Sequence, residues 1–135
     1  MALRVRTVRD QGEYERALSG IGHYFGGSVS DDLQRLARTL PHDRTLVALD
    51  GDRVVGGASS FAYAMTVPGG ASLPCAGVSV VGVLPTDRRR GVLGRLMRAQ
   101  VDDLRARDEP LAALWASEET IYGRFGYGMA AQNVM

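Results

Sequence analysis

From Ala76 to Leu84 the chain is apolar at nearly every position, and it then runs directly into Pro85-Thr86-Asp87-Arg88-Arg89-Arg90-Gly91. A short continuous apolar run bounded in this way reads as a strand covered on both faces. Behind the arginines, Val92, Leu93, Leu96, Met97, Val101 and Leu104 recur at helical spacing on one face, whereas Arg98 with Asp102 and Asp103 with Arg107 pair along the other. Pro110 follows the end of that helix, and Leu111 to Ala116 is a second short apolar run. Strand, helix and neighbouring strand make a right-handed βαβ crossover. The crossover places the arginine loop at the carboxyl end of a parallel pair, where open α/β sheets bind ligands.

That loop is a pyrophosphate cradle in outline. The first amides of a helix have no partner within it and the macrodipole there is positive, so a phosphate is stabilised by both. Adjacent arginines add charge-assisted hydrogen bonds. Taken alone, three arginines before a helix are equally a solvated basic turn. Neither Gly-x-x-x-x-Gly-Lys nor Gly-x-Gly-x-x-Gly occurs, which argues against the two commonest nucleotide cradles. Gly82, inside the apolar run, suggests a bulge or the close approach of a ligand.

The rest of the chain supplies partners for the crossover. Leu3 to Val8 alternates apolar residues with arginines, as a half-exposed strand does. Asp10 can cap a helix over Glu13 to Leu18, ended by the glycines at 20, 22, 26 and 27. Ile21, His23, Tyr24 and Phe25 lie among those glycines, either lining a cleft or plugging the core. Ser30 precedes Asp31 to Arg38, a short helix with acids first and arginines later, halted before Pro41. Thr45 to Leu49 and Arg53 to Ala58 flank Asp50-Gly51-Asp52, a strong hairpin signal, and the second strand extends through Phe61, Tyr63 and Met65 until Pro68-Gly69-Gly70. Ala71 to Pro74 leads into the central strand. Ser117 can cap a short helix over Glu118 to Tyr122, and Met129 to Met135 reads as a last strand.

Composition narrows the classes. At 135 residues the chain fits one domain, residues 1–135, with enough apolar content for a core. A formal charge of +1 gives no basic excess of the kind a nucleic-acid binder shows. All 16 basic residues are arginine. The single cysteine, Cys75, has no internal disulfide partner and suits a reducing compartment. No early run resembles a signal peptide and none reaches the roughly 20 apolar residues that span a bilayer, so a cytoplasmic protein without membrane or nucleic-acid partners is expected. No metal site is expected.

With the loop and Ile121-Tyr122-Gly123-Arg124-Phe125-Gly126-Tyr127-Gly128 both in view, the sequence resembles the GCN5-related N-acetyltransferases. Arg88-Arg89-Arg90-Gly91-Val92-Leu93 matches that family's Arg/Gln-x-x-Gly-x-Gly/Ala signature except at Leu93, where a small residue is usual. The run from Val81 to Gly128, with Ala-Ser-Glu between its halves, is similar to the Eis (enhanced intracellular survival) branch and covers about a third of the chain. The resemblance implies a mixed, mostly antiparallel sheet with a central parallel βαβ pair and helices on both faces. It further implies that backbone groups of Val81 and Val83 pair with the pantetheine arm of acetyl-CoA, and that Arg88, Arg89, Gly91 and Val92 hold its pyrophosphate. Both assignments agree with the physical reading, since an extended arm can add to a strand edge as a peptide does.

Tyr122 matches the family tyrosine that protonates the departing thiolate, a task open to a phenol with a pKa of about 10. The implied function is acetyl-CoA-dependent transfer to a primary amine of a small, aminoglycoside-like or polyamine-like molecule. The alternative is an acetyl-CoA-binding or assembly domain that is silent without further parts. No base is evident: His23 has suitable chemistry but sits alone in a glycine-rich loop. Asp31, Asp32, Glu118 and Glu119 are the acids that could meet a cationic acceptor, and helix-dipole complementarity explains each equally well. The Eis branch has a second acetyltransferase-like domain and a C-terminal domain, so the chain is either a short relative or, as favoured here, an N-terminal fragment. An unpaired last strand would offer an edge for a second copy.

Overall fold

Along Thr45–Asp50, Leu46 and Ala48 point to one side and Val47 and Leu49 to the other, and all four are buried. A strand buried on both faces needs a layer of cover on each, and the structure provides one helix per face. The computed structural model describes residues 2–19, 35, 38–116 and 119–132. Its elements are β1 (Leu3–Thr7), α1 (Gln11–Ser19), a 3₁₀ turn (His42–Arg44), β2 (Thr45–Asp50), β3 (Arg53–Thr66), β4 (Ser72–Val83), a 3₁₀ turn (Pro85–Asp87), α2 (Val92–Ala106), β5 (Leu111–Leu114), α3 (Glu119–Tyr122) and a 3₁₀ turn (Gly123–Phe125). The five strands form one sheet in the order β1-β2-β3-β4-β5; β1 to β4 are antiparallel, and β5 runs parallel to β4.

One core layer joins Tyr14, Ala17 and Leu18 of α1 to Val47, Leu49 and Val80. The other joins Val92 and Leu96 of α2 to Leu46, Ala48, Val55, Ala58 and Val83. The helix starts follow local chemistry. Asp10 Oδ1 accepts the Glu13 amide at 2.8 Å, the cap expected from the sequence, and Glu13 in turn receives Arg6 and the Arg9 amide. On α2 the Asp103–Arg107 pair forms at 2.9 Å, whereas the expected Arg98–Asp102 pair is absent among the described residues.

Three expectations change. The bulge falls at Ser79, which is extra in β4 between the pairs Ser59–Val80 and Ser60–Val78, while Gly82 stays in register opposite Gly57. Residues 72–74 belong to β4, including Pro74 opposite Ala64. Proline is tolerated there because β5 begins its pairing only at Cys75, so no ladder on that side needs the missing N–H. The last strand over Met129–Met135 is not formed across residues 129–132, and residues 133–135 lie outside the described ones. No neighbouring strand is paired there, and an isolated extended segment gains no ladder.

A buried ion pair ties this framework across its width. Arg44, just before β2, makes two 2.7 Å bonds to Glu109, which leads into β5, and its Nε donates to Ser60. Both side chains are under a tenth exposed. Arg44 holds the Glu109 carboxyl below its ordinary 4.5, chiefly through the hydrogen bonds. Glu109→Gln leaves a buried guanidinium without its countercharge and is expected to cost about 3 kcal/mol in urea unfolding at neutral pH. Because the folded pKa is depressed, that contribution is present above pH 4.5 and disappears as pH falls through the lower folded value, so the gap between wild type and variant should close in acid.

Candidate functional site

The site is built where β4 loses one of its two neighbours. On one side β3 pairs with β4 from Ser72 to Val83; on the other, β5 pairs only from Cys75 to Val78. The Leu84 amide donates to Val55 O of β3 at 2.8 Å. Strand alternation therefore turns the amides of Val83 and Val81 away from β3, toward the side β5 has left. Their side chains are engaged elsewhere: Val83 is buried and Val81 packs beside it against the α2 layer. What these two residues present is backbone.

The chain leaves β4 through Pro85–Asp87, enters an extended Arg88, and reaches Gly91 before α2. Arg89 and Gly91 both adopt left-handed backbone, with φ of 64° and 77°. A Cβ at Gly91 would meet nothing within 4 Å, so glycine is required there by its backbone angle and faces open space. No side chain caps α2; its first helical bond is from Arg95 N to Gly91 O, which leaves the amides of Val92, Leu93 and Gly94 without partners inside the helix. Leu93, the departure from the family signature, lies partly buried against the α2 layer.

The three arginines separate. Asp87, only 1% exposed, receives two 2.8 Å bonds from Arg53, one from Thr86 at 2.9 Å, and one from Arg90. Arg90 also reaches Asp50 at 2.9 Å. The Arg53 hydrogen bonds, supported by Thr86 and by the charge of Arg90, hold the Asp87 carboxyl far below the usual carboxylate range against the opposing effect of burial. Arg88 and Arg89 are exposed and make no ion pair or side-chain hydrogen bond among the described residues. Sequence reasoning placed Asp87 in this loop without giving it a role, and missed Arg53 and Asp50 as its neighbours. The Asp-Gly-Asp-Arg signal was legible only as a turn, and nothing local says that this turn stands against a loop more than thirty residues away.

Val81, Val83, Arg88, Arg89, Gly91 and Val92 thus follow one another along the chain from the end of β4 to the start of α2, with Arg88, Arg89 and Gly91 exposed. Tyr122 stands apart from them, at the end of α3 in the segment after β5, half-buried, with its ring edge-on to Tyr127 at 6.1 Å. The Tyr127 hydroxyl is buried without a hydrogen-bond partner among the described residues, and desolvation raises its pKa, with smaller contributions from Tyr122 and Cys75. The 3₁₀ turn after Tyr122 packs against α2, the helix that starts at the cradle. His23, Asp31, Asp32, Ser117 and Glu118 lie outside the described residues. Among the described residues there is no cluster of three or more His, Cys, Asp or Glu placed to hold a metal, and no helix long and apolar enough to cross a membrane.

A family model described as an acetyltransferase (GNAT) domain matches residues 4–130 of this chain. The chain belongs to this acetyltransferase family. Within it, the chain is 46% identical over 136 residues to an uncharacterised N-acetyltransferase of Streptomyces avermitilis, covering 99% of this chain and 33% of that protein. Its fold superposes on Eis1 of Mycobacterium abscessus with a TM-score of 0.86 at 38% identity, covering 96% of this chain and 32% of that one. At 17% identity it also shares the fold of AAC(6′)-Iy, solved with the bisubstrate analogue CoA-S-monomethyl-acetylneamine, with a TM-score of 0.77, covering 100% of this chain and 97% of that one. The chain spans about a third of the length of the first two.

The left-handed angle at Gly91 gives a direct test of the loop. Gly91→Ala is expected to lower unfolding free energy by about 1 kcal/mol in urea, through backbone angle alone since the added methyl has room. Unchanged stability would mean the loop has relaxed away from this conformation.

Proposed function

We propose that this chain is the acetyl-CoA-binding unit of an N-acetyltransferase that acetylates a primary amine of a small molecule. The observation that carries the reading is the continuity of unpaired β4 backbone, free arginines and uncapped α2 amides. The residues fit the co-substrate part by part. Backbone of Val81 and Val83 suits an extended amide-bearing arm, which can pair as an added strand. The amides from Val92 onward, with the Arg88 and Arg89 guanidinium groups, suit a pyrophosphate. Bound there, acetyl-CoA supplies an activated acetyl thioester.

Tyr122 is assigned the proton held near the sulfur, because a phenol is protonated at neutral pH and can donate as negative charge develops. The acceptor nitrogen must shed its own proton before attack, and the described residues offer no side chain for this task. The aminoglycoside-derived analogue in the AAC(6′)-Iy structure supports a small amine acceptor by fold likeness. A second reading rests on the chain spanning about a third of its relatives: a unit that binds acetyl-CoA and completes its acceptor pocket only with further parts.

Calorimetry with acetyl-CoA and CoA-release assays against an amine panel separate the two, since tight binding without turnover favours the second. Replacing Arg88 and Arg89 with alanine is expected to weaken acetyl-CoA binding by about 1.5 to 3 kcal/mol for each arginine. Unchanged affinity would remove the cradle from both readings. Tyr122→Phe is expected to lower kcat about a hundredfold with little change in acetyl-CoA affinity, and wild-type turnover in that variant would exclude Tyr122 as the acid.

A further inference from the structure

Two carboxylates beside a proposed phosphate site require an explanation, because negative charge there opposes the ligand. Asp87 is buried within the loop, and Asp50 stands at the β2–β3 turn, 23% exposed. Together they engage Arg53 and Arg90, so the four charges cancel and Arg90 contributes nothing free to an anion. Between the two anchored positions, Asp87 and Arg90, lies Arg89 with φ of 64°. A left-handed non-glycine residue persists only where its surroundings over-determine it. Here the chain is fixed two residues before Arg89, where Arg53 holds Asp87, and immediately after it, where two carboxylates hold Arg90.

We propose that Asp87, Arg53 and Asp50 are positioning residues for the cradle: by drawing Arg90 inward against the β2–β3 turn, they set the left-handed loop that leaves Arg88 and Arg89 as the phosphate-binding pair. This rests on the cradle reading above and adds what shapes it. Swinging Arg90 outward would leave the desolvated Asp87 with Arg53 and the Thr86 hydroxyl only, and a buried carboxylate strongly resists losing a charged partner. The hairpin turn thereby becomes part of the co-substrate site without touching the ligand.

The rival arrangement, in which Arg90 is itself the phosphate ligand and the acids merely store it, predicts the opposite sign. Under that arrangement Asp87→Asn removes a negative charge, releases Arg90 and tightens CoA binding. Under positioning, the same substitution loosens the loop and weakens CoA about tenfold in calorimetry, the loss of roughly one charge-assisted contact. The effect should vanish when Asp87→Asn is made on top of Arg88→Ala with Arg89→Ala, because a disordered loop costs nothing once its arginines are gone. A folded Asp87→Asn protein that binds CoA equally or more tightly, or a loss that persists on the double-alanine background, overturns the proposal. Should Asp87→Asn fail to fold, Asp50→Asn, which likewise removes a carboxylate from Arg90 and whose side chain is 23% exposed, carries the same cycle with the same criteria. Failure of the cradle itself is distinct: CoA affinity is then indifferent to Arg88 and Arg89 from the start.

Discussion

Backbone hydrogen bonding on β4 is the constraint from which the rest of this structure follows. Every strand residue carries a donor and an acceptor that must be partnered or left to solvent or ligand. β3 meets one side of β4 along its whole length, but β5 meets the other only up to Val78. The extra residue at Ser79 sits at that boundary, where a bulge bends a strand and increases its twist. The two parallel strands can then part while β4 stays in the sheet. Pantetheine recognition, on the reading developed above, uses groups that the sheet itself has released.

The second determinant is how charge is sorted across a few residues. Three consecutive arginines could present one diffuse positive surface, yet a single buried aspartate divides them into one held inward and two facing outward. Desolvation drives the division. A carboxylate at 1% exposure gains most from the guanidinium groups that can reach it, and Arg53 arrives with two parallel hydrogen bonds. The same logic fixes Arg44 on Glu109 beside the middle of β3, where Arg44 also bonds Ser60. Electrostatics here selects geometry more than it adds stability.

Local periodicity made most of the fold legible. The apolar run Thr45–Leu49, the Asp-Gly turn, the apolar run into β4 and the helical face of α2 each reflect an interaction between near neighbours, and each was found in place. Features that depend on distant segments were not. Ser79 is the one polar residue between Ala76 and Leu84, but polarity does not mark a bulge, so its bulge could not be read in place of Gly82. The Arg53–Asp87 and Arg44–Glu109 pairs join residues 34 and 65 positions apart, beyond any pattern of spacing. The strand anticipated over Met129–Met135 had suitable residues but no paired neighbour across residues 129–132. In the candidate site, the motif drew attention to Arg88–Val92, while the acid–arginine frame around them became visible only in three dimensions.

The sheet order β1-β2-β3-β4-β5 repeats the order of the chain. From β2 to β4 the strands can therefore zip onto one another by closing short loops, with little configurational entropy lost per step, whereas β1 reaches β2 across the long segment that carries α1. Only β5 needs the crossover through α2, and Glu109 reaches Arg44 only when that crossover is complete. Folding of this topology is thus asymmetric: a meander of antiparallel strands is kinetically accessible before the parallel strand docks. The divergence of β4 and β5 is then the last geometry acquired, so the surface offered to the co-substrate matures after the frame that carries it.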